Sequence, residues 1–255
     1  MKPSIPILAL CLVPSLSAQT MEEYIARGDS LYDALNPAEA LERYRAALPL
    51  GHPYELLWKF ARAQTDVAKQ LQGNEHRELR DSLYWVAQIY AEAAIRADSQ
   101  GVHGPYELSK ALGELSRTRG GRERVRFGRV IYDNAASVIA RDPDHDGALH
   151  ILGAWHAEIK RLSGLTRFFA RSFLGADFMS IASWDSAAIY LERSVASKPE
   201  YIFHRLELAE IYIDMERFSD AREQLELIAR LSYNDVLDAS HQERAAALLE
   251  EINGR

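Results

Sequence analysis

The stretch Asp142-Pro-Asp-His-Asp-Gly147 has the best claim to chemistry in this chain. Asp142, Asp144 and Asp146 fall at positions 1, 3 and 5 of a calcium-loop pattern, and Gly147 falls at position 6. Position 12, where a bidentate Glu would close such a loop, is Gly153, so the strongest ligand is missing. A turn between two helices accounts for the same residues: Pro143 stops one helix and an Asp caps the next. The eight histidines form no close ligand spacing; His150 and His156 are six apart and lie on different faces of a helix. Cys11 is the only cysteine, which removes disulfides, thiol nucleophiles and Cys-based zinc sites once the leader is gone. H-E-x-x-H, G-x-S-x-G, the P-loop and G-x-G-x-x-G are all absent. The chain therefore reads as a non-enzyme with no catalytic residue, metal or cofactor. A formal charge of −7 argues against a nucleic-acid partner.

The elements around these residues are helical. Of the 255 residues, 47% are hydrophobic and 26% charged, enough for a sizeable core, and Ala, Leu, Glu and Arg outnumber β-branched residues. Residues 1–18 read as a secretory signal peptide: Lys2, an apolar run over residues 5–13, then Pro14 and a small-residue stretch ending in Ala18. Export to the periplasm is the expected location. Residues 19–255 form the expected folded domain.

That domain is expected to be all-α and to repeat. Near the C-terminus, Ala209, Tyr212, Ala221, Leu225 and Ile228 resemble the tetratricopeptide pattern, with small residues at positions 8 and 20 where two antiparallel helices cross closely. Gly28, Ala40, Tyr44 and Ala47 give the same spacing near the N-terminus. Three looser copies put Ala61, Gly113 and Gly153 at position 8 and Val86, Ile131 and Ala187 at position 20. The joints between repeats then run 21, 27, 22 and 22 residues, against 22 for a 34-residue unit. The extra length of the middle repeats falls inside the hairpins, so it projects from one edge of the stack. The expectation is about five hairpins with elongated central repeats and a capping helix over residues 239–253.

The stretch from Asp142 to Phe178, followed by residues 184–201, carries a more specific likeness. A helix with Gly153-Ala154-Trp155, a short apolar insertion, and a helix ending near Pro199 resemble the regulator-of-microtubule-dynamics family. The resemblance implies a right-handed all-helical interaction protein without catalytic residues to transfer. It does not bring microtubule binding with it, because the leader places the chain away from tubulin.

Two surfaces follow. In tetratricopeptide repeats one face of each helix A lines a concave groove. Here that face carries Trp58, Arg62 and Asp66, then Lys110, Glu114 and Arg117, then His150, Glu158 and Arg161, and finally Leu206, Glu210 and Asp214. Mixed charge and aromatic surface suits a protein or peptide segment, so the expected function is a periplasmic binding scaffold. The second surface is the edge of repeats 3 and 4. It combines Arg122, Arg124 and Arg126 with an amphipathic insertion bearing Arg167, Phe168, Phe169 and Arg171. The reading that requires no partner folds the Phe residues back onto their own hairpin or into the groove. The alternative makes this edge a peripheral contact for an anionic membrane surface or a small ligand.

Overall fold

The computed structural model describes residues 19–254. Among them are twelve α-helices, two short 3-10 turns and no strand. The signal-peptide reading falls on residues 1–18, outside the described residues. Five hairpins run in chain order: α1 (Met21–Asp33) with α2 (Pro37–Ala47), α3 (Tyr54–Gln70) with α4 (Arg77–Ala97), α5 (His103–Ser116) with α6 (Gly121–Arg141), α7 (Asp146–Arg161) with α9 (Trp184–Ser197), and α10 (Ile202–Asp214) with α11 (Phe218–Ile228). Between α7 and α9 stand α8 (Gly164–Leu174) and a 3-10 turn, Asp177–Ile181; α12 (Asp238–Asn253) caps the array. This is an all-α, tetratricopeptide-like solenoid.

Local chemistry sets the boundaries. Thr20 and Glu23 form a reciprocal capping box at α1: Glu23 N–H donates to Thr20 Oγ1 at 3.2 Å and Thr20 N–H donates to Glu23 Oε2 at 3.0 Å. Ser163 and Ser183 cap α8 and α9 through Thr166 N–H and Ser186 N–H, each at 3.1 Å. The first and last hairpins close with the same turn. Leu35 and Glu216, each seven residues after the position-8 residue, take φ of 58° and 60°. Asn36 N–H then donates to Leu31 O, and Arg217 N–H to Tyr212 O. Shared geometry in the two most distant repeats shows that the unit is the same.

The helix crossings depend on small residues, but not always those the spacing selects. A Cβ on Gly28 would collide with the Tyr44 ring, and one on Gly153 would collide with Leu191 Cδ2 and sit 3.0 Å from Ala187 O. A Cβ on Gly113 would meet nothing within 4 Å. In that hairpin the crossing residue is Ser109, fully buried, whose hydroxyl donates to Pro105 O at 2.9 Å and Ile131 O at 3.3 Å. In α4 the buried stripe is Tyr84, Ala87, Ala91 and Ala94, and Val86 is only half-buried. With Ala87 and Ser109 as positions 20 and 8, the joint between repeats 2 and 3 becomes 22 residues, and the anomalous 27 disappears.

Candidate functional site

The face shared by α1, α3, α5, α7, α10 and α12 is a ladder of paired charges, and its two halves differ. In the N-terminal half, Tyr32 donates to Asp66 Oδ2 at 2.5 Å. Asp66 lies 3.7 Å from Lys110 Nζ, which also meets Glu107 Oε2 at 3.0 Å. Arg62 lies between aromatic faces, 3.5 Å from the Tyr32 centroid and 4.9 Å from that of Trp58, and Trp58 stacks on His103 at 4.2 Å. Burial would lower Lys110, but Asp66 and Glu107 hold it well above the ordinary lysine value. Burial would raise Asp66, yet Lys110, Lys69 and the Tyr32 hydrogen bond keep it below the usual carboxylate range. Glu107 is pushed up by burial, with Lys110 offsetting only part of that. The three positions at i, i+3 and i+7 of α5 (Glu107, Lys110 and Glu114) thus join α3 across the face; Glu114 meets Lys69 at 4.0 Å.

Above this half runs the connection between α11 and α12. Asn234, Asp235 and Val236 enclose, with Tyr32, Leu35, Pro37 and Asp66, a cavity of about 40 Å³. The connection is fixed: Tyr201 donates to Asp235 Oδ2 at 2.8 Å, Asn234 Nδ2 donates to Glu200 O at 3.1 Å, and the Asn234 and Asp235 N–H groups both donate to Asp238 Oδ2 at 2.8 Å. The first repeat and the cap therefore meet across the concave face and fill it at that end.

The Asp-Pro-Asp turn links α6 to α7, and Asp146 faces the groove floor. Its Oδ2 is 2.9 Å from His204 Nε2, and His204 Nδ1 is 3.1 Å from His150 Nδ1. Burial lowers both histidines, His150 most, and the His204 imidazole further disfavours charge on His150. Burial works against the Asp146 carboxylate, but His204 outweighs it and brings Asp146 to about 2. Phe203 lies between His150 at 4.6 Å and His241 at 4.7 Å. Among the described residues no group of three metal-binding side chains converges.

The C-terminal half is open. Arg161 reaches Asp214 at 2.8 Å, Glu158 at 3.1 Å and Glu207 at 3.4 Å; Arg244 on α12 reaches Glu210 at 3.2 Å. Burial would lower Arg161, but Glu207 and Asp214 hold it above the ordinary value. Arg117 lies within electrostatic reach of Glu114, Glu207 and Glu158. Here Arg161, Glu210, Asp214 and Arg244 stand around Ile213 and Leu248 in a cleft of about 260 Å³. Of the residues the spacing assigned to the groove, Trp58, His150 and Leu206 are buried. Asp66 and Lys110 lie in the filled half, while Arg117, Glu158, Arg161, Glu210 and Asp214 line or flank the open half.

At the edge, Arg122 is exposed, Arg124 pairs with Glu158 at 3.5 Å, and Arg126 pairs with Glu123 at 3.5 Å. Arg167 turns inward and donates to Lys160 O at 2.9 Å, to Ile159 O at 3.3 Å and to Leu162 O, satisfying the C-terminal carbonyls of α7. The fold-back reading of the insertion does not hold for its Phe row: Phe168, Phe169 and Phe173 remain exposed, and Ala170, Ala176 and Met179 make the buried contacts instead. Ala170, Ala176 and Met179 join the core cluster that holds Val125, Phe127 and Trp155.

Sequence reasoning missed Tyr32, Lys69, Glu107, His204, Glu207 and Arg244. Glu107 was available, since it continues the Lys110 periodicity by one turn. Arg244 and the 229–237 connection were not, because they belong to the cap and carry no repeat signature.

The comparisons agree with this architecture. The family model described as Regulator of microtubule dynamics protein 1-3 matches residues 24–253. Regulator of microtubule dynamics protein 1 from Bos taurus is 23% identical over 181 residues, covering 71% of this chain and 56% of that protein. The Mus musculus protein is 26% identical over 137 residues, covering 53% and 43%. The chain thus spans about half the length of the curated relatives it matches. Among solved structures, a thermophilic tetratricopeptide protein from Thermus thermophilus superposes with a TM-score of 0.64 at 19% identity, covering 89% of this chain and 100% of that one. The Pseudomonas aeruginosa protein pilF gives 0.54 at 16% identity, with 91% and 86% covered. By the span of the family match and by its fold, this chain belongs to the Regulator of microtubule dynamics protein 1-3 family.

Proposed function

We propose that the protein is a non-catalytic scaffold that binds an extended segment of a protein partner in the open C-terminal half of the concave face. The observation that carries this reading is the cleft of about 260 Å³ between α7, α10 and α12. Its apolar floor, Ile213 and Leu248, lies between arginines and carboxylates held in fixed pairs. Such a surface offers hydrophobic area at its centre and both signs of charge at its rim, without needing backbone rearrangement to form. The helical-repeat fold supports the same reading, since stacked repeats present continuous concave surfaces to partners. We place the protein in the periplasm on the strength of the leader over residues 1–18, and tubulin is then not its partner. Selection from a displayed peptide library tests the site. Peptides enriched on the wild type should lose binding to a Glu158→Lys, Arg244→Glu double variant that melts normally, because both side chains are more than half exposed. Retained binding to that variant would move the site elsewhere.

A further inference from the structure

The insertion in the fourth hairpin builds a helix that is anchored behind and bare in front. Behind, Arg167 is tied to the last carbonyls of α7, Ala170 is buried, and Phe178 in the following 3-10 turn lies 6.0 Å from the Trp155 ring, with Arg129 5.2 Å above it. In front, Leu165 is 66% exposed, Phe168 60%, Phe169 50% and Phe173 68%. These four stand at i, i+3, i+4 and i+8, one continuous helical face. The rings form one row, with Phe168 to Phe169 at 5.8 Å and Phe169 to Phe173 at 5.7 Å. Ile181, at the end of the 3-10 turn, adds a fifth exposed apolar residue. The row is carried on a capped helix tied to α7 through Arg167, so its exposure is not that of an irregular loop.

Charge identifies what would cover it. α8 lies against α6, whose first half carries Arg122, Arg124, Arg126 and Arg129, all exposed. Arg171 extends from α8 itself and is about half exposed. Residues 121–131 of α6 hold four arginines and one acidic residue, and α8 holds two arginines and none, in a chain whose net charge is −7. Arg124 pairs with Glu158, Arg126 with Glu123, Arg129 with Asp133 and Arg171 with Asp177, which leaves Arg122 without an acidic partner within 4 Å among the described residues. A second copy would bring like charge against like. A bilayer with anionic headgroups meets both features at once: aromatic side chains enter the boundary between headgroups and acyl chains, and arginines meet phosphate.

We propose that α8 docks the protein onto an anionic lipid surface, with Phe168, Phe169 and Phe173 inserted and the arginines of α6 and α8 at the headgroups. A helix of 11 residues gives weak binding alone, and the arginines supply the second attachment that stable docking requires. Flotation of the full chain with vesicles tests this. Vesicles of phosphatidylcholine with about 30% phosphatidylglycerol should hold the protein at least about tenfold more strongly than phosphatidylcholine alone, and raising salt to about 0.5 M should remove most of the difference. Phe168→Asp with Phe169→Asp, and separately Arg122→Glu with Arg126→Glu, should each lower partition on the anionic vesicles about tenfold while leaving the melting temperature unchanged. Equal partition on the two vesicle types, or Phe-variant binding equal to the wild type, overturns the proposal. So does a wild-type dimer in sedimentation equilibrium that the Phe variant abolishes, because the row would then be covered by a second copy.

Discussion

Gly153 and Gly113 occupy the same repeat position by spacing, yet the structure gives them opposite responses to one added methyl group. At Gly153 a Cβ would overlap Leu191 Cδ2 and sit 3.0 Å from the Ala187 carbonyl oxygen. Leu191 can rotate, though it is fully buried and its new rotamer would displace neighbours; the backbone oxygen cannot move without shifting α9. Overpacking of this kind costs about 1–3 kcal/mol, and Ala recovers about 1 kcal/mol of helix propensity over Gly. The net expectation for Gly153→Ala is a loss of up to about 2 kcal/mol, or a drop in melting temperature of up to about 8 °C for a chain of this size. At Gly113 the space is open, so Gly113→Ala gains propensity without a collision and should raise stability by about 0.5–1 kcal/mol. Urea unfolding of both variants beside the wild type, followed by far-ultraviolet circular dichroism, measures the pair. Destabilisation by Gly113→Ala comparable to that by Gly153→Ala would restore Gly113 to the crossing and refute the Ser109 register.

Other consequences follow from the buried charges. Among the described residues, Lys110→Met removes the one cation within ion-pair distance of both Glu107 and Asp66, leaving only the longer-range charges of Arg62 and Lys69, and should cost about 3–5 kcal/mol in urea unfolding; adding Glu107→Gln should recover part of it. His150 and His204 are held below the ordinary histidine value, so between that value and their folded values the unfolded chain binds more protons. Their contribution is complete above about pH 6.5 and declines as pH falls below that. A His150→Gln, His204→Gln double variant should flatten the decline between pH 7 and 5.5, and an unchanged slope would contradict the assignment. Asp146, held at about 2 by His204, adds stability that is present above its unfolded value near 4 and lost only as pH falls below that. Tyr201→Phe removes the 2.8 Å bond to Asp235 and should raise hydrogen exchange in residues 229–237 with an overall cost of about 1–3 kcal/mol.

The architecture was readable because it rests on spacing. Gly28, Ala40, Tyr44, Ala209, Ala221 and Leu225 are related by tight crossings that only small residues with bulky neighbours permit, and crossings leave a periodic trace. Gly113 misled for the same reason. A glycine fits the template, but Ser109 can serve when its hydroxyl finds Ile131 O. The groove was legible as a face and illegible as an occupied volume. Lys110 and Asp66 lie on the expected stripe, but what closes their end of it is residues 234–236, about two hundred residues from Tyr32 and outside every repeat. The Phe row could be seen as amphipathic in sequence. Which side would pack could not: Ala170 is buried and the Phe row is exposed, a property of the assembled hairpins and not of the segment.

The scaffold reading is tested most directly by photo-crosslinking in the native envelope. A photoreactive residue in place of Glu210, which lines the open cleft, is compared with one in place of Ile189, exposed on helix α9 away from it. The account predicts a discrete crosslinked partner from position 210 and none from position 189. Capture of the same partner equally from both positions, or from position 189 alone, would contradict binding at the concave face.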